Sequence, residues 1–394
     1  MIATELALVG LASRHGWARN LETYQPLLLS DRLMHLSPSE RAVIENRCDI
    51  GLCHRSAIND YTRLISADLI LFWGDFLHMA QYFRAMSDIL ADFTSSHQRS
   101  VNGPALAARV LLLHDADDET LARRTMTFGT TLLFNNLHDE FEDVYHLPAT
   151  RLLSLARRVW VRDALSAAKV AHLRKDYATS YFGVDCTLLL DPNESIYCSK
   201  KHQVSTENIL VFLGRDPSLH GPLLSVAESL AAALRLPLRW LPWGERSAFP
   251  HFSVPAAPLS CTADATTQDL LQHLRNSSAV VTDTYHMAVL AWNFGVPAVT
   301  GFSAYGAAST DVSSGAAFNW RDKREIFYSQ YDALDFLIRP EELFDNVLLQ
   351  KRVNRLLEML KDGRLVSSIV SRIHTHAAEL ERSLAEEISL VLRN

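Results

Sequence analysis

The chain is short of three things: cysteine, long apolar runs and positive charge. It holds five cysteines in 394 residues, an odd count that no complete set of disulfides can use. Cys48 and Cys53 miss the C-x-x-C spacing of a metal site, and Cys186, Cys198 and Cys261 stand alone. Reduced thiols are expected. No stretch reaches the roughly 18 consecutive apolar residues of a membrane span. The opening "MIATELALVGLASRHGW" carries Glu5 where a secretion signal wants a positive start. A cytoplasmic protein is expected, with peripheral attachment at the inner face of the membrane left open. A formal net charge of -7 and a pI near 6.1 argue against nucleic acid as a partner. Sixteen histidines raise the question of metal, but His374 and His376 of "HTH" fall on a charged helical pattern without a partner cluster. No metal is expected.

What is present is the composition of a globular protein, 48% hydrophobic and 21% charged with 15 glycines. The length suits about two domains. Strand and helix patterns alternate along most of it. "ADLILFWGDF" (67–76) reads as a central parallel strand ending in Gly74-Asp75, and "ARVLLLHDAD" (108–117) repeats that logic. "RRVWVRDALSAAKVAHL" (157–173) gives a strand, a polar step and an amphipathic helix, and "CTLLLDP" (186–192) another strand. A second series contains "NILVFLGRD" (208–216), a helix over 223–235, "LRWLPW" (238–243), a helix over 267–277, "AVVTD" (279–283), a further helix and "PAVTGF" (297–302). The division expected is an N-terminal α/β domain over 1–192, a linker over 193–207, a second α/β domain over 208–340 and C-terminal helices over 341–394. The fold class is α/β, with two Rossmann-like domains facing a cleft. The small-residue segment 301–320 is the expected binding loop.

Chemistry concentrates where apolar strands stop. In "AVVTDTYHMAVLAWNFGVPAVTG" (279–301) a buried strand is broken by Thr282-Asp283-Thr284-Tyr285-His286 before an apolar helix resumes. That step either caps the helix or holds a ligand at strand ends, where backbone N–H groups and partial positive charge favour an anion. Arg162 and Asp163 open a helix at another strand end, where Arg162 can reach an anion or form a salt bridge. Arg215 follows Gly214 at the first strand of the second series, and Asp216 can pair with it. Lys323 and Arg324 follow the small-residue loop and either close over a ligand or form a charged turn. Trp73 and Trp240 sit in strands and read as core, while Trp243, in a loop, can stack on a sugar face.

The stretch "SSAVVTDTYHMAVLAWNFGVPAV" resembles the hallmark of the polysaccharide pyruvyl transferase family: a strand, a T-D-x-x-H step, an apolar helix and G-V-P. "ADLILFWGDF" is similar to its strand with a glycine-rich end. "VWVRDALSAAKV" resembles its R-D-x-x-S turn, and "WRDKREIF" (320–327) its lysine-bearing segment. The resemblance runs from about residue 65 to 340. It implies a fold like that of the GT-B glycosyltransferases, with the acceptor on the first domain and the donor on the second. It also implies transfer of the enolpyruvyl group of phosphoenolpyruvate to hydroxyls of a sugar or glycan, giving a pyruvate ketal and phosphate.

On this reading His286 moves a proton or anchors the donor, and Asp283 orients His286 or accepts the hydroxyl proton. Arg162, Asp163, Arg215, Thr284, Tyr285, Lys323, Arg324, Gly74, Asp75 and Trp243 line the substrates. Phosphoenolpyruvate is the donor substrate and no cofactor is expected. The acceptor, lipid-linked or not, stays open, as does homo-oligomerisation. Two departures stand out. Thr284 and Tyr285 replace the Arg-Leu pair usual before the histidine, so another cation must serve the anionic donor. Gly74-Asp75 replaces a paired glycine. The alternatives are a GT-B-type glycosyltransferase using a nucleotide-sugar and a non-catalytic glycan-assembly binding subunit. The helix "HMAVLAWNFG" carries no acid of the kind nucleotide-sugar enzymes use to hold ribose hydroxyls, which weighs against the first.

Overall fold

A computed structural model describes residues 2–17, 24–25, 55–56, 64–74, 78, 82–84, 86–88, 102–114, 119–133, 142–193, 207–214, 216–241, 256–258, 267–303 and 322–393. The chain divides into two compact units, Met1–Leu190 with Ala378–Asn394, and Asp191–Ala377. The expected linker lies almost wholly outside the described residues. The first unit also includes the end of the C-terminal helix.

The first unit is built on a parallel sheet of order β3-β4-β5. Its strands are β3 (Ile70–Trp73), β4 (Thr125–Thr130) and β5 (Arg158–Val161). A separate two-stranded pair, β1 (Tyr24–Gln25) and β2 (Arg55–Ser56), is also parallel. The sequence reading placed 67–76 at the centre of a sheet, but among the described residues β3 pairs with β4 alone. The centre is β4, whose "TMTFGT" carries three threonines and so escaped an apolar reading. Its six residues are all buried, and Thr125 offsets the cost of burial by donating to the Leu121 carbonyl at 2.8 Å.

Two further expectations are corrected. Of the expected strand over 108–117, the described residues 108–114 are not a strand; they contain the end of helix α2 (Gly103–Leu111). Asn102 caps that helix, Pro104 suits its first turn, and alanines favour the helical state. The buried positions Ala107, Val110 and Leu111 follow a helical period. Residues 186–192 likewise form no strand. Cys186–Leu189 is a 3-10 turn capped by Asp185, which accepts from the Thr187 N–H at 3.1 Å and hydroxyl at 2.8 Å. That buried turn packs against helix α1 (Ile2–Arg14). Helices α3 (Glu119–Arg123), α4 (Leu147–Leu155) and α5 (Ala164–Arg174) complete this layer.

The second unit holds a six-stranded sheet of order β11-β10-β9-β6-β7-β8, parallel throughout. The strands are β6 (Ile209–Phe212), β7 (Leu238–Trp240), β8 (Ala256–Pro258), β9 (Ala279–Thr282), β10 (Ala298–Gly301) and β11 (Leu337–Ile338). Winding runs outward from β6 to β8, then restarts at β9 on the other side of β6. This is the doubly wound order, and its topological switch point lies between the carboxyl ends of β6 and β9. Right-handed crossovers place α6 (Pro217–Leu234) and α8 (Tyr285–Asn293) on opposite faces. Helix α7 (Thr267–Arg275) precedes β9 and α9 (Lys323–Gln330) precedes β11.

On the α8 side the core is aromatic: Trp292, fully buried, meets Phe336 edge-on at 5.1 Å and Tyr328 at 6.4 Å. On the other side α6 packs against α11 (Asn346–Asp362), which follows the short α10 (Pro340–Leu343). The final helix, α12 (Arg364–Leu392), belongs to the second unit up to Ala377 and to the first beyond it. In the second unit, His374 Nε2 lies 2.9 Å from the Asn293 carbonyl and His376 Nδ1 lies 3.0 Å from the Tyr331 hydroxyl. These imidazoles pin the helix. Among the described residues no helix is long and apolar enough to cross a membrane, and no group of three or more His, Cys, Asp or Glu could hold a metal.

Candidate active site

The T-D-x-x-H step leaves β9 at the switch point. Asp283 is fully buried and does not cap the helix that follows it. The capping position is Thr284, which makes no side-chain cap bond. Asp283 instead reaches across to the loop after β6. It accepts the Asp216 N–H at 2.8 Å and the Gly214 N–H at 3.3 Å from each oxygen. The Thr284 hydroxyl donates to it at 3.0 Å. One carboxylate thus ties together the two loops that leave the sheet side by side, as the pairing of Phe212 with Thr282 requires.

Asp216 extends this network. It caps α6 through the Ser218 N–H at 3.1 Å and accepts the Ser303 hydroxyl at 2.6 Å. Burial alone would raise its carboxyl, but hydrogen bonds from Ser303 and Ser218 and the nearby Arg324 charge outweigh that and hold it below the usual range. The sequence reading paired Asp216 with Arg215, which lies outside the described residues, as do Asp75, Trp243 and the loop over 304–321.

Arg324 is largely committed within the protein. Its Nη1 donates to the carbonyls of Asp283 at 2.6 Å and Gly301 at 2.9 Å. Its Nε and Nη2 hold Asp322 bidentately at 2.7 Å each. It therefore staples the carboxyl ends of β9 and β10. Lys323, mostly buried, places its ammonium 4.8 Å from the centre of the Tyr285 ring. Tyr285 is itself buried, and the half-buried His286 ring meets it at 5.2 Å, edge to face. His286 is thus the second residue of α8, half-buried beside the Tyr285 ring.

One imidazole escaped the sequence reading. His220, in the first turn of α6, brings Nε2 to 3.9 Å from the Asp283 carboxylate. The only signal for it was its place one turn into a helix that starts at a strand end.

In the first unit the R-D-x-x-S turn is chiefly an architectural device. Asp163 caps α5 by accepting the Ser166 N–H at 2.7 Å, and it also takes the hydroxyls of Ser166 at 2.8 Å and Thr131 at 2.6 Å. Ser166 in turn accepts the Leu132 N–H at 2.7 Å. Arg162 is buried against Asp185 at 3.4 Å. Gly74 ends β3 with φ of 85°, a left-handed conformation glycine adopts freely, while its N–H bonds to the Phe128 carbonyl at 2.8 Å. Trp73 stacks on Phe128 at 5.1 Å and Trp240 is buried.

Lys169, on α5, donates to the carbonyls of Leu132 and Leu133 at 2.8 and 2.9 Å. Burial lowers its ammonium pKa from 10.5 to about 8, against the opposing attraction of Asp163. From pH 8 to 10.5 the unfolded chain therefore holds this proton and the folded chain has released it, so stability rises with pH in that window. Over the window, urea unfolding of the wild type should gain on the order of 3 kcal/mol relative to Lys169→Met. Parallel profiles for the two proteins would contradict this.

A comparison with curated proteins finds no match. Among solved structures, a candidate UDP-N-acetylglucosamine 2-epimerase from Listeria monocytogenes is similar with a TM-score of 0.47 and 11% identity, covering 94% of this chain and 87% of that one. The UDP-GlcNAc 2-epimerase from Neisseria meningitidis, bound to UDP-GlcNAc, gives 0.44 and 8%, covering 79% and 81%. That from Methanocaldococcus jannaschii gives 0.37 and 9%, covering 70% and 75%. The family described as polysaccharide pyruvyl transferase matches residues 112–303. This stretch contains both the R-D-x-x-S turn and the T-D-x-x-H step, and over it the chain is similar to the polysaccharide pyruvyl transferase family.

Proposed function

We propose that the protein transfers the enolpyruvyl group of phosphoenolpyruvate to hydroxyls of a sugar or glycan, forming a pyruvate ketal and releasing phosphate. The observation that carries this reading is the coincidence of the family's T-D-x-x-H step with the switch point of a six-stranded parallel sheet. Ligands of doubly wound sheets bind at that crevice. The donor carries a phosphate and a carboxylate, so its site calls for cations and aligned N–H groups. Helix α8 begins there without a side-chain cap bond. Lys323 lies over Tyr285, one of the two residues that replace the family's usual Arg-Leu pair. This supports Lys323 as the proposed substitute for that arginine. Arg215 and Arg162 are further cations proposed for the substrates.

The reaction needs no redox step. An acceptor hydroxyl adds to the central carbon of the donor, the methylene carbon takes a proton, and a second hydroxyl displaces phosphate. An imidazole suits these transfers because its ordinary pKa lies near neutrality. His286 stays in this reading as the residue that anchors the donor.

Phosphoenolpyruvate at 100-fold its dissociation constant should stabilise the protein by about 2.7 kcal/mol. His286→Ala should lose phosphate release with a sugar acceptor while unfolding like the wild type. A protein that phosphoenolpyruvate does not stabilise, but a nucleotide-sugar does, would reverse the assignment.

A further inference from the structure

The carboxylate of the T-D-x-x-H step has an imidazole near it from outside its own motif, 63 residues earlier in the chain. We infer that His220, oriented by Asp283, is the base that takes the acceptor hydroxyl proton; this rests on the pyruvyl-transfer reading above.

Parallel pairing of β6 and β9 brings the two residues together. Asp283 fixes the start of α6 through the N–H groups of Gly214 and Asp216. The first turn of that helix then carries His220 back towards the same carboxylate, with Nε2 3.9 Å from Oδ2. Nε2 is buried and has no hydrogen-bond partner. The side chain as a whole keeps 24% of its surface exposed, so that exposure lies on atoms other than Nε2.

A general base needs one nitrogen held by an orienting group and the other facing the reacting proton. His220 offers the first half of this arrangement, with the Asp283 carboxylate beside Nε2. Asp283 favours the tautomer with hydrogen on Nε2, which leaves the Nδ1 lone pair for the acceptor. The separation of 3.9 Å exceeds a hydrogen bond, and such contacts tighten when substrate closes the site.

The step balances. The first acceptor hydroxyl gives its proton to Nδ1 while its oxygen bonds to the central carbon, and the double-bond electrons take a proton at the methylene carbon to make a methyl group. A second hydroxyl displaces phosphate, and its proton departs on the phosphate. The proton at carbon comes from solvent water, and the proton on Nδ1 then passes to the hydroxide this leaves, so the imidazole returns to its starting state.

Two measurements on the full-length protein test this. In nitrogen-15 histidine spectra, assigned by loss of one ring in His220→Gln, the neutral His220 ring should carry hydrogen on Nε2. Hydrogen on Nδ1 would overturn the pairing whether or not the protein is a pyruvyl transferase. In turnover with phosphoenolpyruvate and a sugar diol, His220→Gln should lower kcat about 100-fold or more with KM for phosphoenolpyruvate nearly unchanged. Glutamine can still donate to Asp283, so a purely structural histidine would be replaced with little loss, and retained kcat would overturn the base role. If the wild type releases no phosphate, the pyruvyl-transfer reading fails and the base role with it. The tautomer still decides the pairing.

Discussion

Asp283→Ala should lower the unfolding free energy by about 3–5 kcal/mol and abolish turnover, the largest effect expected of any single polar residue here. The carboxylate is fully buried and accepts two backbone N–H groups and one hydroxyl. Alanine leaves those donors buried without an acceptor, and each such group costs roughly 1–3 kcal/mol. It also releases the loop from which α6 starts, and with it His220. Asp283→Asn keeps one acceptor oxygen, so its cost should fall to about 1–2 kcal/mol. Thr284→Val removes a single donor and should cost about 1 kcal/mol. Urea unfolding of the three variants orders them. An alanine variant as stable as the valine one would show that the carboxylate does not hold the two loops together.

Gly129→Ala should cost a similar amount, about 3–4 kcal/mol, for a different reason. Gly129 lies at a register shift in β4 and has φ of 73°. A side chain in that left-handed conformation costs roughly 1–2 kcal/mol. A Cβ there would also collide with Cys186 Sγ and crowd the Cys186 nitrogen and the Val184 oxygen, each at 3.2 Å. Overpacking of this kind adds roughly 1–3 kcal/mol. The double variant Gly129→Ala/Cys186→Ala separates the two contributions. Removing the sulfur should recover the collision but not the backbone strain, so stability should return only in part. Full recovery would mean that the left-handed backbone carries no cost.

In the second unit β6, β7, β9 and β10 were legible as apolar runs ended by glycine or a polar step, as "NILVFLGRD" and "AVVTD" are, whereas the short edge strands β8 and β11 were not read. In the first unit the same rule failed twice. It took the apolar end of α2 for a strand, since a short run has no period of its own, and it passed over β4 because its threonines read as polar. Threonine is nevertheless a favourable strand residue, and a neighbouring carbonyl can satisfy its hydroxyl inside a core.

The candidate site was legible in part. The T-D-x-x-H step could be found because its residues are adjacent in the chain and sit where a strand meets a helix. Its partners could not. Arg324 bonds to the carbonyl of Asp283 across 41 residues. The preference for His286 followed from the family motif around it, and His220, 3.9 Å from the Asp283 carboxylate, had no such motif to mark it.

The sequence by itself determined the alternation of strands and helices in the second unit, the family pattern and the point where a polar step interrupts the oily core. These depend on local spacing, and spacing is written in the chain. Which carboxylate meets which imidazole, and which arginine is used up as a staple, was decided only in three dimensions. Parallel pairing sets strand ends together without regard to their separation in sequence, and hydrogen bonds among buried groups then choose the partners.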